Sequence, residues 1–177
     1  MEFKLLLNEL RKVLKGIDKN ELAIFKKEIN QCQRIFVVGA GRSGLIAKNL
    51  AMRLVRLQKN VFVVNETVIP KVRSNDLLIA ISGSGETSEV ISAVKLSRVL
   101  GARILGITAI KDSPLAKLSH SLIIIPAKIP QRLGIQYQLR ELIGVPERSP
   151  VKSLFELASL IFLEVVVDKL NEEKNVH

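Results

Sequence analysis

The chain is short of several things, and each shortage excludes something. Of its 177 residues one is cysteine, Cys32, so no internal disulfide can form, and a reducing, cytoplasmic setting is expected. Aromatic residues make up 4% of the chain, meagre material for stacking on nucleic-acid bases. No apolar stretch approaches the ~20 residues that span a bilayer. The opening run Phe3-Lys4-Leu5-Leu6-Leu7 is too short for a secretory signal, so neither membrane nor export is expected. There is no zinc-finger spacing, heptad zipper, internal repeat, low-complexity tract or linker. The two histidines are badly placed for chemistry: His120 precedes the last strand, on the far side of the sheet from its carboxyl ends, and His177 ends the chain.

What is plentiful is apolar side chain. At 47% hydrophobic the chain can build a sizeable core, and its length fits one domain over 1–177, with N-terminal helices in 1–32 and an α/β core plus C-terminal helix in 33–177. The net charge is +10, from 27 basic and 17 acidic residues. The charges are scattered, which reads as a solvated basic surface or as attraction for phosphorylated substrates, and not as a nucleic-acid footprint.

Residues 3–31 read as two helices, the second opened by Asp18-Lys19-Asn20-Glu21 as a capping box. Strands at 34–39, 61–64, 76–81, 103–108 and 121–126 then alternate with helices at 43–58, 86–100 and a short one begun by Ser113-Pro114. A polar segment with helical potential occupies 130–143, and a long helix spans about 153–172. Strands that are apolar throughout, separated by helices, predict a parallel sheet covered on both faces. The expected fold is a doubly wound α/β sandwich, flavodoxin-like, with strand order 2-1-3-4-5. In that order strands 1 and 3 are neighbours, and ligands bind in the crevice at their carboxyl ends.

Two loops sit at those ends. Gly39-Ala40-Gly41-Arg42-Ser43-Gly44 follows the first strand, and Ser82-Gly83-Ser84-Gly85-Glu86-Thr87 follows the third. Each opens a helix, whose first N–H groups and partial positive charge favour an anion. Glycines let backbone approach the anion and hydroxyls add donors. Two such loops side by side predict one phosphorylated ligand held from two directions. A rival exists: Gly39, Gly41 and Gly44 satisfy a dinucleotide fingerprint, with Glu66 where a ribose-binding acid would stand. That rival leaves the second loop without a task.

The pair of loops resembles the sugar isomerase (SIS) domain family, whose phosphate loop commonly reads Ser-x-Ser-Gly-Glu/Asp-Thr. Within it the 6-phospho-3-hexuloisomerase branch is the most similar. Val63-Val64-Asn65-Glu66-Thr67 with Pro70, Asp112-Ser113-Pro114-Leu115-Ala116, and Ser153-Leu154-Phe155-Glu156 with Phe162-Leu163-Glu164 carry the likeness along nearly the whole chain. The resemblance implies reversible conversion of hex-3-ulose 6-phosphate to fructose 6-phosphate, with no metal or organic cofactor. It also implies a homo-oligomer, a tetramer, with the N-terminal helices as contacts. By the same resemblance Gly41, Ser43, Ser82, Gly83, Ser84 and Thr87 bind the phosphate. Arg42 contacts phosphate or sugar, or is a plain loop arginine.

Moving a proton between adjacent carbons through an enediol needs a base and donors for the developing oxyanion. Glu156, between Phe155 and Leu157, is the candidate base, and the family motif places a glutamate there; Ser153-Leu154-Phe155-Glu156 reads equally as a capping box. Glu164 reads as a helix-interface carboxylate and Cys32 as a packing residue. Three positions depart from the family pattern: Arg56, where histidine is frequent, and Asn65 and Lys152, where glycine is. Arg56 and Lys152 keep open a non-catalytic sugar-phosphate sensor or an isomerase for another phosphosugar. Asn65 tolerates left-handed backbone.

Overall fold

Five strands form one parallel sheet in the order β2-β1-β3-β4-β5, with β1 at Arg34–Gly39, β2 at Val61–Val63, β3 at Asp76–Ile81, β4 at Arg103–Thr108 and β5 at Ser121–Ile124. The structure is a computed structural model describing residues 3–129 and 153–174. Around the sheet lie helices α1 (Phe3–Lys15), α2 (Asn20–Gln31), α3 (Gly41–Arg56), α4 (Ser88–Val99), α5 (Pro114–Leu118) and α6 (Leu154–Lys174). The expected helix at 130–143 lies outside the described residues.

Alternation along the strands explains why the sheet is buried twice over. Ile35, Val37, Leu77, Ile79 and Ile81 face a core shared with α1, α2, α3 and α6. Their neighbours Phe36, Val38, Leu78 and Ala80 face a second core built with α4 and α5 through Val90, Val94 and Leu115. Both sets are apolar, so the strands read as continuous hydrophobic runs, as parallel strands do. On the larger side Phe25 meets Phe162 edge-to-face at 6.5 Å, joining α2 to α6.

Several boundaries differ from the sequence reading. Helix α3 begins at Gly41 and α4 at Ser88, while β5 ends at Ile124. The capping box at Asp18 is only half made. The Asn20 amide donates to Asp18 Oδ1 at 2.8 Å, but Glu21 turns inward and its Oε1 accepts from the Ile124 amide at 2.8 Å. A half-buried strand end whose N–H needs a partner outbids the helix start for that carboxylate. Ser113 caps α5 as expected, accepting from the Ala116 amide at 3.2 Å. Asn65 takes φ 79°, the left-handed backbone that asparagine tolerates.

Candidate active site

The sheet register sets the site. Gly39 of β1 pairs with Ile81 of β3, so the two loops leave adjacent strands at the same height. Neighbouring strands lie about 4.8 Å apart, close enough for one small anion to touch both loops.

The first loop needs its glycines. A Cβ on Gly39 would lie 2.6 Å from the Ser43 carbonyl oxygen, so only glycine lets the strand end touch the first turn of α3. Ala40 is extended and Gly41 enters the helix at φ 54°. Ser43 is buried and Arg42 half-exposed. The N-cap residue, Ala40, has no side chain that could cap α3, which leaves the first-turn amides open towards the crevice.

The second loop is held from within and from behind. Ser82 is 2% exposed; its Oγ accepts from the Gly85 amide at 3.1 Å and lies 2.9 Å from Thr87 Oγ1. Its hydroxyl therefore shapes the loop from the inner side. Ser84, half-buried, accepts from the Glu86 amide at 3.3 Å. Thr87 is the N-cap residue of α4, yet its side chain makes no capping bond to that helix. Helix capping therefore does not account for Thr87. Gly85, at φ 65°, has Ser113 against its α-carbon, leaving no room for a side chain.

The start of α6 closes the third side. A Cβ on Gly83 would lie 3.0 Å from the Phe155 ring, which puts Phe155 beside the second loop. Glu156, the next residue, is mostly buried, and its Oε1 lies 3.7 Å from Arg42 Nε in the first loop. Three helix N-termini, of α3, α4 and α6, thus point their positive ends at one crevice, with the Glu156 carboxylate and the Arg42 guanidinium among them. That set can hold a dianion and place a base next to it.

Other candidates lie elsewhere. Glu66 is ion-paired with Lys48 at 2.8 Å on the surface, and Glu164 with Arg53 at 2.9 Å across α3 and α6. His120 sits at the amino end of the sheet, where its Nδ1 accepts from the Ile104 amide at 2.9 Å. Burial, with Arg98 and Arg103 nearby, pushes its pKa below the usual value. Burial pushes the Cys32 thiol up to about 11. Arg56 is exposed on α3, and Lys152 lies outside the described residues. Among the described residues, no three side chains of His, Cys, Asp or Glu come together as a metal site. Within the same residues, no helix is long and apolar enough to cross a membrane. Sequence reasoning missed the support behind the second loop, Thr108 and Ser113. The available signal was a threonine ending the apolar strand Arg103–Thr108.

The SIS domain model matches residues 28–137, which span β1 to β5 and both loops. The chain belongs to the SIS domain family. It is 36% identical over 160 residues to a 3-hexulose-6-phosphate isomerase of Mycobacterium gastri, covering 90% of this chain and 76% of that one. An enzyme of the same name from Bacillus subtilis is 32% identical, with 97% and 88% covered. A solved structure from Methanococcus jannaschii, described as pointing to a function of 3-hexulose-6-phosphate isomerase, superposes with a TM-score of 0.79. That chain is 28% identical to this one, with 99% of this chain and 92% of that one covered. This SIS protein is an isomerase, and the sheet order read from the sequence is the one it has.

Proposed function

We propose that the protein interconverts hex-3-ulose 6-phosphate and fructose 6-phosphate through a 2,3-enediol. What carries the reading is the convergence of both loops and Glu156 on one crevice, with Gly39 registered to Ile81 and Glu156 3.7 Å from Arg42. The enzymes to which the chain is similar along most of its length act, by name, on that sugar phosphate.

The phosphate takes the first-turn amides of α3 at Gly41, Arg42 and Ser43, the amides of the Gly83–Thr87 loop, and the hydroxyls of Ser84 and Thr87. Ser82 keeps that loop in shape. Glu156 takes the proton from C2, and charge moves onto O3 as the enediolate forms. The same carboxyl returns the proton to C3 while the O2 hydrogen passes to O3, so that O2 becomes the carbonyl oxygen and O3 the hydroxyl. Arg42 donates to the developing oxyanion, the term that contributes most in such sites. The carboxylate stays clear of the phosphate, whose charge would otherwise oppose its own.

Self-association belongs to the same proposal. Phe3 and Leu7 on α1, Leu45 and Met52 on α3, and Val165 on α6 are large apolar side chains left exposed on helices that pack around one another. Light scattering on a sizing column should give a mass several times that of one chain.

The deciding experiment makes hex-3-ulose 6-phosphate in situ and couples fructose 6-phosphate to an indicator reaction. Steady turnover proportional to protein is expected. Folded protein that binds fructose 6-phosphate without turnover would instead be a sugar-phosphate sensor. A protein that turns over only another phosphosugar would keep the family chemistry and lose this substrate.

A further inference from the structure

Thr108 touches neither loop's rim, yet it has a specific grip on the second one. It is fully buried at the end of β4. Its Oγ1 donates to the Gly83 carbonyl oxygen at 3.1 Å and accepts from the Ile110 amide at 3.3 Å. The Ala109 amide donates to the same Gly83 oxygen at 3.1 Å. One turn of chain later, the Leu115 amide donates to the Gly85 oxygen at 2.9 Å. Two carbonyls of the loop are thus drawn back towards the β4–α5 connection.

A trans peptide is planar, with its C=O and the following N–H pointing in opposite directions. Fixing the Gly83 oxygen towards Thr108 therefore fixes the Ser84 N–H away from it, towards the crevice. Gly83 has no side chain to resist rotation of this peptide. Without the Thr108 hydroxyl the Ala109 amide alone holds the Gly83 oxygen, and the peptide is freer to turn its carbonyl into the crevice, setting a partial negative charge where the phosphate must lie.

We propose that Thr108 is a positioning residue for the phosphate loop, acting through the Gly83 peptide plane to hold the Ser84 amide on the bound phosphate. The proposal rests on the phosphosugar reading of the site and adds to it a residue that never meets the ligand. It gives Thr108 a role in affinity for the phosphate group and none in proton transfer.

The test measures binding of fructose 6-phosphate and of inorganic phosphate by calorimetry, and steady-state kinetics, for the whole protein and two variants. Thr108→Val removes the hydroxyl at nearly constant volume. It should weaken both ligands about tenfold, the size expected for one lost hydrogen bond to a loop that then misaligns. KM should rise by a similar factor with kcat within twofold. Thr108→Ser, which restores the donor, should recover both. Should Thr108→Val fail to fold, Thr108→Ala removes the same hydroxyl and must show the same pattern. Equal binding by wild type and by the folded hydroxyl-less variant overturns the proposal. So does a loss in kcat with KM unchanged, or a serine variant as weak as the valine one. Wild-type protein that binds neither ligand overturns the phosphosugar reading itself, a result separate from any effect of Thr108.

Discussion

At the amino end of the sheet Arg34 grips Asp76 through Nε and Nη2 at 2.9 and 2.6 Å, and Arg103 grips Glu28 at 2.8 and 2.6 Å. At the carboxyl end Arg42 and Glu156 face each other at 3.7 Å. Both ends hold arginine and carboxylate together, but to different purpose. Fork-to-fork pairs with extra bonds, Ser121 Oγ to Glu28 at 2.7 Å and the Arg73 amide to Asp76 at 2.6 Å, leave each carboxylate little capacity for anything further. They fasten the strand starts to α2 and to the approach to β3. The looser pair at the other end sits where three helix N-termini meet, and a base can work only if its partner leaves it room to accept a proton. On the proposed mechanism, the difference separates charge used for assembly from charge used for chemistry.

The largest effect that could break this comparison is on Glu156. Replacing it with glutamine keeps the shape and removes the proposed base. Glu156→Gln should lower kcat by about 10²–10⁴-fold, while the affinity for fructose 6-phosphate stays within a few-fold. Retained turnover would show that the carboxylate is structural, like those at the amino end. Next in size is Gly85→Ala. The left-handed backbone at φ 65° and the contact with Ser113 both resist a side chain. A loss of about 1–3 kcal/mol in urea unfolding is expected, together with weakened sugar-phosphate binding, because the strain falls on the phosphate loop itself.

Glu28→Gln should cost stability and leave chemistry alone. Arg103 is half-exposed, so solvent discounts the pair, and a loss of about 1–2 kcal/mol at pH 7 follows. kcat and KM should not move. The pH dependence carries a sign. Hydrogen bonds from Arg103 first, then from Ser121, hold the Glu28 carboxyl below its usual 4.5 against the opposing effect of burial. Its contribution is therefore present above pH 4.5 and disappears as pH falls through the lower folded value. The gap between wild type and Glu28→Gln should close in acid.

Glu21 titrates in the opposite sense. Burial raises its pKa, more than the Ile124 amide bond lowers it, so the folded state holds its proton to higher pH than the unfolded chain does. Its benefit is present below about pH 4.5 and is lost as pH rises through the folded value. Measured against Glu21→Gln, wild type should gain stability on acidification, the reverse of the Glu28 pair. Equal slopes for the two variants would mean that one of the two carboxylates is not in the environment described.

How much of this could be read beforehand follows from the range of each interaction. The strand order and the two loops were legible, because apolar strand runs and Gly/Ser turns are local patterns and parallel crossovers restrict the rest. Glu156 stood out because its surroundings, Phe155 and Leu157, are adjacent in sequence. Glu21 was read as a capping residue because its real partner, Ile124, lies 103 positions away. The grip of Thr108 on Gly83 is likewise tertiary, a β4 hydroxyl donating to a loop carbonyl 25 positions away, whereas Ser82 turns in towards Gly85 and Thr87 of its own loop. Sequence pattern located the loops; only packing decides which hydroxyls face in.

The smallest expected effect is at Cys32, and it sharpens the comparison by being silent. The thiol lies half-buried at the amino end, beside Glu28, Asn75, Asp76 and Arg103, and donates weakly to the Ile29 carbonyl at 3.5 Å. With burial pushing its pKa up to about 11 from 9.0, ionisation alone should slow alkylation by iodoacetamide at pH 8 roughly 100-fold relative to the unfolded chain. The rate should climb through pH 10, and Cys32→Ser should leave kcat/KM within twofold. Saturating fructose 6-phosphate should not alter the alkylation rate, because the length of the strands separates the thiol from the crevice. Ligand protection of Cys32 would mean that the two ends communicate, and the division between assembly charges and chemical charges would have to be given up.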